Sequence, residues 1–358
     1  MITANALRLS FIREMRALGV GSLRLALRWT VPACMAVFVL MDGLVFRNSL
    51  SWAGPFRALE SVVIFAAGLL ILTWYRVRLN LVIAAVAGIV AALVAAQMFQ
   101  SESLPDVTLW VFVIGALVLQ CTIGRDWSED FARAALLLSA LGLVMVAGSA
   151  SGIPAPSGLL NRNVFCGVLV ALLPSAIERG GAYWWRALAP MATIVLLGSR
   201  GAILAMAAVL VFMGWRVTNR RVAIGAAVLV ALALILLVPE SNANHVLIMR
   251  SAVQQWVSSS SVFGVGPGGI WIPVPWSSSP DVQAHNSALT IAVTTGLLGA
   301  CVIGFALAMA RRGRLQFQPW QVGTVIALLV HGLVDDPLTW LPTLLIGALA
   351  VGKEDDSL

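Results

Sequence analysis

Long apolar stretches alternate with short polar segments over most of this chain. A helix that crosses a lipid bilayer needs about 20 largely apolar residues. Twelve stretches approach that length, and they lie at 29–46, 59–75, 79–99, 107–123, 131–150, 160–177, 184–198, 200–215, 221–239, 286–309, 319–334 and 337–351. The pattern predicts an all-α integral membrane protein with about twelve transmembrane helices.

The composition favours the same interpretation. Hydrophobic residues make up 60% of the chain and charged residues 11%, whereas an average soluble domain has about 25% charged residues. The net charge of +7 does not indicate a nucleic-acid-binding surface. The basic residues fall in short segments between apolar stretches, such as Arg76 and Arg78 or Arg311 and Arg312. We therefore expect membrane lipids as partners and no nucleic acid.

The arginines predict the direction of the spans. Cytoplasmic loops of membrane proteins carry an excess of Lys and Arg. If both termini are cytoplasmic, 18 of the 23 Lys and Arg residues lie on the inner side. The outer side then keeps Arg47, Arg57, Arg162, Arg200 and Arg250. An arginine on the disfavoured side needs a reason, and this sparse outer set is a candidate site.

The pattern divides the chain into five segments. Residues 1–28 form a cytoplasmic basic segment, either an amphipathic helix on the inner leaflet or a basic tail. Spans 1 to 9 occupy 29–239, a periplasmic loop occupies 240–285, spans 10 to 12 occupy 286–351, and 352–358 is a cytoplasmic tail.

The loop between spans 9 and 10 is the only long one. A helix is predicted over Asn244 to Val257, because Val246, Met249, Val253 and Trp256 recur at helical spacing. The Ser- and Pro-containing stretch that follows predicts an irregular loop. The loop also contains three tryptophans, Trp256, Trp271 and Trp276. Indole rings settle at the bilayer interface, where we expect this loop to lie.

Two outer arginines fall where predicted helices begin. Arg162 precedes span 6, with Asn163 as a candidate N-cap, and Arg200 opens span 8. A cation at a helix N-terminus is unfavourable by about 0.3–1 kcal/mol. A bound phosphate would offset that cost, because helix N–H groups and a guanidinium can bind it together. The alternative is an arginine that extends to lipid headgroups. We favour this alternative for Arg47 and Arg57 and the anion-binding role for Arg200, and both roles stay open for Arg162 and Arg250.

His285 and Asn286 open span 10 at the end of the long loop. A histidine in this place can act as a general base near neutral pH. Asn286 or Ser287 is the expected N-cap. The alternative for His285 is a capping or structural role.

The end of span 11 carries a second polar group. His331 and Asp335 are four residues apart and share a helix face. We expect Asp335 to support the site as an ion-pair partner for an arginine, and His331 to be a buried hydrogen-bonding residue. Asp336 before Pro337 is typical of a helix N-cap.

Neither a metal nor a cofactor is expected. The outer acidic residues form no compact cluster, and the cysteines Cys34, Cys121, Cys166 and Cys301 have no partner at ligand spacing. We expect these cysteines to be small buried apolar residues. The glycine-rich stretch from Gly264 to Gly269 lacks the Lys-Ser/Thr of a nucleotide-binding loop and predicts a flexible or tightly turned outer loop.

The order of these motifs resembles the bacterial O-antigen ligase and polymerase superfamily of membrane glycosyltransferases. The resemblance covers roughly residues 155–300. It consists of a Pro-Ser-Gly turn, Ser-Arg-Gly at 199–201, a loop arginine before tryptophan, a Gly-Val-Gly-Pro-Gly turn, and His-Asn followed by Gly-Leu-Leu-Gly. It implies a GT-C-like enzyme of the bacterial inner membrane, with a metal-independent site on the periplasmic face.

The resemblance also implies roles for individual residues. Arg200 and Arg250 would bind the pyrophosphate of an undecaprenyl-pyrophosphate-linked glycan donor, and Arg162, at a turn where the family usually has Gly or Asn, would contribute. His285 would act as base on the acceptor hydroxyl. The acceptor would be a second lipid-linked glycan, for a polymerase, or lipid A-core, for a ligase. The small outer loop slightly favours a polymerase.

Two other functions compete with this one. A transporter or flippase of lipid-linked glycan predicts charged residues at mid-membrane depth, whereas the ionisable residues here collect at the predicted outer ends. A metal-dependent glycosyltransferase would use an acidic residue of the first outer loop. Asp42 and Glu60 are the candidates, and this alternative is unfavoured.

Overall fold

The computed structural model describes part of the chain. The described residues are 29, 32–37, 39, 126–150, 162–178, 185–217, 242–258, 262–265, 272, 285–297, 301, 317–335, 343, 346–347 and 349–350. Outside them lie the basic N-terminal segment, predicted spans 2 to 4 and 9, and Arg47, Arg57, Asp42, Glu60, Cys121, Trp271, Trp276 and Asp336.

The described residues form helices and turns, with no strand among them, so the all-α prediction is confirmed for this part of the chain. The helices are α1 (Ser128–Ala150), α2 (Arg162–Glu178), α3 (Trp185–Leu197), α4 (Arg200–Val217), α5 (Asn242–Ser258), α6 (Ser287–Leu297) and α7 (Pro319–His331). Helices α1 to α4 and α7 match predicted spans 5 to 8 and 11 within about three residues at each end. Hydropathy predicts the bounds of these helices well, because each bound depends only on residues near it in the sequence.

Helix α2 is the centre of the main bundle. It is apolar on all sides, and every residue from Val164 to Ala176 is buried. A helix of this composition is stable only when other helices surround it. Helices α1, α3, α4 and α7 all pack against it.

Contacts along the bundle fix the helix directions. The backbone N–H of Trp320 donates to Glu178 Oε2 at 2.8 Å, and Thr324 Oγ1 donates to the Ala171 carbonyl at 2.9 Å. Because the start of α7 meets the end of α2, these two helices are antiparallel. By contrast, α1 and α3 are parallel, since Arg186 pairs with Glu129 near the starts of both helices. These directions agree with the alternation predicted for consecutive spans.

A second, smaller core joins α5 to α6. It consists of Ile248, Ala252, Ile272 and Val293, with Trp256, Val265 and Leu289 packed against them. The helix predicted in the long loop is confirmed. The boundary predicted between residues 285 and 286 runs through one packed unit, because α6 shares this core with the loop segment.

The face that α5 buries differs from the pattern that predicted the helix. Its buried stripe is Ile248 and Ala252, continued by the half-buried Trp256. Val246 and Val253 are 62% and 42% exposed. Spacing alone identifies a helix but not which of two apolar stripes finds a partner. Trp256 packs on this core and is not fully available to the bilayer interface.

Two glycines interlock where the turn after α5 meets the end of α6. Gly264 and Gly296 have φ values of +73° and +63°, which favour glycine. A Cβ on Gly264 would lie 2.5 Å from the Thr294 carbonyl carbon, and one on Gly296 would overlap the Val262 carbonyl. Of the loop predicted over Gly264 to Gly269, the described part is a turn at Gly264, and Gly266 to Gly269 lie outside the described residues. Predicted span 10, over 286–309, is described only to Leu297 and at Cys301, and Gly296, whose φ has the sign opposite to that of an α-helix, lies at the end of α6.

One described helical segment, Ser128–Ala147, is long and apolar enough to cross a membrane. Arg186–Leu197, Ser287–Leu297 and Pro319–His331 are apolar but shorter.

Cysteine burial is only partly as expected. Cys166 is buried, whereas Cys34 and Cys301 are exposed, so the prediction is wrong for these two. Each cysteine has apolar neighbours in the sequence. Those neighbours do not show whether the cysteine lies on the packed face or on the outward face of its helix.

Candidate functional site

The turn between α3 and α4 places Arg200. Gly198, at φ +68°, ends α3 with its N–H donating to the Ile194 carbonyl at 3.1 Å. The next residue, Ser199, is buried, and its carbonyl accepts the N–H of Ile203 at 2.9 Å. Helix α4 therefore begins at Arg200, as predicted, and the Arg200 side chain is half-buried at a helix N-terminus.

Arg162 lies at a neighbouring helix N-terminus. It is the first residue of α2 and is exposed. One turn later, the Cys166 thiol contacts the Ser199 backbone, and the Arg162 charge acts on the same thiol. The start of α2 therefore lies beside the α3–α4 turn. The prediction that Asn163 caps α2 is wrong, because the helix already includes Arg162.

The start of α4 packs against the end of α7. A Cβ on Gly201 would lie 2.5 Å from His331 Cδ2 and 3.0 Å from Nε2, so the absence of a side chain admits the imidazole. The expectation that His331 is buried is confirmed, since it is 0% exposed. This contact brings the end of α7 to the residue next to Arg200.

The end of α7 in turn holds the start of α6. Gly332 follows α7, and its carbonyl accepts the Ser287 N–H at 2.7 Å. Asn286 Nδ2 donates to the Leu333 carbonyl at 3.1 Å, while its Oδ1 accepts the Leu289 N–H at 3.0 Å. Asn286 is therefore the N-cap of α6, as predicted, and also ties α6 to α7.

His285 and Asp335 meet at this junction. His285 Nδ1 lies 3.6 Å from Asp335 Oδ1, within ion-pairing range but longer than a hydrogen bond. The side chains are 24% and 8% exposed. His285 has φ of 51°, an unusual backbone conformation for a non-glycine residue and one often found at functional sites. The expected arginine partner of Asp335 stays a prediction, and the partner that sequence reasoning missed is His285.

Arg250 is placed differently. It is exposed on α5, on the side away from the stripe that packs against α6. The contacts of the described residues do not join it to Arg200 or His285. Its place in the site stays a prediction.

Four helix ends thus converge: the N-termini of α2, α4 and α6 and the C-terminus of α7. Helix N-termini carry partial positive charge. Together with Arg162 and Arg200 they form a surface suited to an anion such as a phosphate. The His285–Asp335 pair adds a candidate proton acceptor. Among the described residues, no group of three or more His, Cys, Asp or Glu side chains could hold a metal ion.

The contact between Gly201 and His331 was not predicted. The sequence places Gly201 directly after the candidate arginine and His331 one helical turn before Asp335. A glycine directly after a candidate arginine is a weak signal for close helix packing. Identifying its partner requires the tertiary structure.

No family model matches this chain, and no curated protein shows a significant sequence match to it.

Proposed function

We propose that this protein is a multi-span membrane glycosyltransferase whose site faces the periplasm. It moves a glycan from undecaprenyl pyrophosphate to an acceptor sugar hydroxyl. The observation that carries the proposal is the convergence of Arg162, Arg200, His285 and Asp335 at one end of the helical bundle.

The membrane setting is supported by the apolar side chains on the outer faces of the bundle. Val144, Val195, Leu196 and Leu329 are 54–68% exposed around a core that is itself apolar. A soluble bundle has polar residues on its outer faces, whereas lipid accepts apolar ones. We propose about twelve spans with both termini cytoplasmic, which places the four converging helix ends on the outer side.

The site suits charge stabilisation without a metal. Glycosyl transfer from a pyrophosphate leaves two phosphates with negative charge that must be stabilised. We assign Arg200 and Arg162 to this pyrophosphate, together with the N–H groups at the starts of α2 and α4. Arg250 is not assigned to the pyrophosphate, because only the resemblance suggests that role and the contacts of the described residues do not join it to Arg200 or His285.

His285 is assigned as the general base. Its Nδ1 faces Asp335, and we assign Nε2 to the acceptor hydroxyl. His285 takes the hydroxyl proton as the oxygen bonds to the anomeric carbon of the donor. The bond from that carbon to the pyrophosphate oxygen breaks, and undecaprenyl pyrophosphate leaves. Asp335 holds the imidazole in position and stabilises its protonated form.

The test is glycan transfer by the purified full-length chain in nanodiscs, with undecaprenyl-pyrophosphate-linked repeat units as the only substrate. A ladder of longer lipid-linked glycans, insensitive to chelator, supports a polymerase. Transfer only after lipid A-core is added supports a ligase. Failure to transfer to either acceptor, with donor binding retained, would favour a transporter.

The control compares two arginines at opposite ends of α4. Arg200→Ala and His285→Ala are expected to abolish transfer. Arg216 lies exposed near the other end of α4, so Arg216→Ala removes the same charge from the same helix and should keep activity. Equal loss in Arg216→Ala and Arg200→Ala would contradict the proposed site.

A further inference from the structure

Helix α5 carries an exposed apolar stripe that the site does not use. Val246, Val253 and Val257 are 62%, 42% and 70% exposed. At 100° per residue they fall within about 40° of one another around the helix. We name these three residues the valine stripe.

Arg250 lies within the same stripe. Its helical position is about 20–60° from those of the three valines, and it is exposed. Helix α5 contains no Asp or Glu. The exposed face therefore combines apolar side chains with one cation, and α5 has no carboxylate that would repel lipid phosphates.

The opposite face of α5 fixes the orientation of the stripe. Ile248 and Ala252 are buried against the second core, which includes Val293 of α6. The helix cannot rotate to bury the valine stripe without exposing this core. The stripe therefore stays outward in the folded protein.

The outward apolar surface is not confined to α5. Leu333, beside the site, is 57% exposed, and Val195 and Leu196 at the end of α3 are 54% and 57% exposed. These residues lie at the bundle end where the candidate site is formed. An apolar belt at this end fits a lipid leaflet better than it fits water.

We propose that the valine stripe is a membrane-contact surface that inserts into the outer leaflet of the bilayer. The three valines lie among the upper acyl chains, and the long side chain of Arg250 reaches lipid phosphates at headgroup level. The contact holds α5, and through α6 also His285, at the depth where a lipid-linked pyrophosphate lies. This inference rests on the proposed function for the membrane setting.

The experiment compares two adjacent positions on α5. A dansyl-bearing amino acid replaces Val257, in the stripe, or Ser258, which is exposed about 100° away around the helix at nearly the same axial position. The full-length protein is placed in nanodiscs of phosphatidylcholine, with or without phosphatidylglycerol. Spin-labelled lipids of known label depth serve as quenchers, and no glycan donor is added.

The expected result is blue-shifted, strongly quenched emission at 257 and water-like, weakly quenched emission at 258. Phosphatidylglycerol should increase quenching at 257, and Arg250→Gln should remove that increase. Equal quenching at both positions, or quenching at neither, overturns the inference. If the protein enters nanodiscs and transfers glycan but shows no difference, the inference fails alone. If it cannot be placed in a bilayer, the proposed function fails as well.

Discussion

Gly201→Ala tests whether the contact between α4 and α7 holds the candidate site together. The added Cβ would lie 2.5 Å from His331 Cδ2, whereas ordinary contacts begin at 3.4 Å. The imidazole, or the end of α7, must therefore retreat by roughly 0.9 Å. His331 is fully buried and has little room to do so.

The expected change in unfolding free energy follows from the crowding that the added Cβ causes. Overpacking costs about 1–3 kcal/mol, and the replacement of a helical glycine returns about 0.5–1 kcal/mol. The difference predicts a net loss of up to roughly 2.5 kcal/mol in unfolding free energy. The His331 carbonyl accepts the Asp335 N–H at 3.0 Å, so displacement of α7 also moves the partner of His285. A misplacement of about 1 Å can reduce a rate about 100-fold.

The matched control is Gly323→Ala at the other end of α7. Its Cβ would lie 2.7 Å from the Pro174 Cβ, a similar crowding far from the site. Thermal unfolding in detergent and glycan transfer are measured for both variants. We expect similar destabilisation, with transfer lost only in Gly201→Ala. Wild-type stability and transfer in Gly201→Ala would refute the reasoning, as would equal loss of transfer in Gly323→Ala.

Three further predictions concern α6. Asn286→Ala removes the cap on the Leu289 N–H and should lower stability by about 1–2 kcal/mol, whereas Asn286→Asp, which keeps the cap but cannot donate to the Leu333 carbonyl, should recover only part of it in thermal unfolding. His285→Gly should be about 1 kcal/mol more stable than His285→Ala, because glycine adopts the left-handed φ without strain, while both variants abolish transfer, and equal stability of the two variants would argue against backbone strain. Gly296→Ala forces a Cβ onto Val262 and should increase hydrogen exchange in the turn after α5, and unchanged exchange would contradict the interlock.

The helix bounds of the main bundle could be predicted because each depends on nearby residues. The apolar stretch of α2 and the Pro319 that opens α7 are visible without tertiary information. The grouping of Arg162, Arg200 and His285 at one end also followed from sequence, because consecutive spans alternate in direction.

Packing partners could not be predicted in the same way. In α5, Val253 and Ala252 are both apolar, and only the position of α6 determines that Ala252 is buried. The interlock of Gly264 with Gly296 is a contact between two backbones, and neither glycine reveals its partner. The same is true of Gly201 and His331, which are brought together by the antiparallel packing of α4 and α7.

The most direct test of the central claim is the binding of undecaprenyl pyrophosphate to the full-length protein in nanodiscs. Hydrogen bonds to charged groups contribute about 1.5–3 kcal/mol, so Arg200→Gln should weaken binding about 10- to 150-fold. Arg216→Gln, near the other end of the same helix, should bind like the wild type. Equal affinity in all three proteins would contradict the assignment of the pyrophosphate to the converging helix ends.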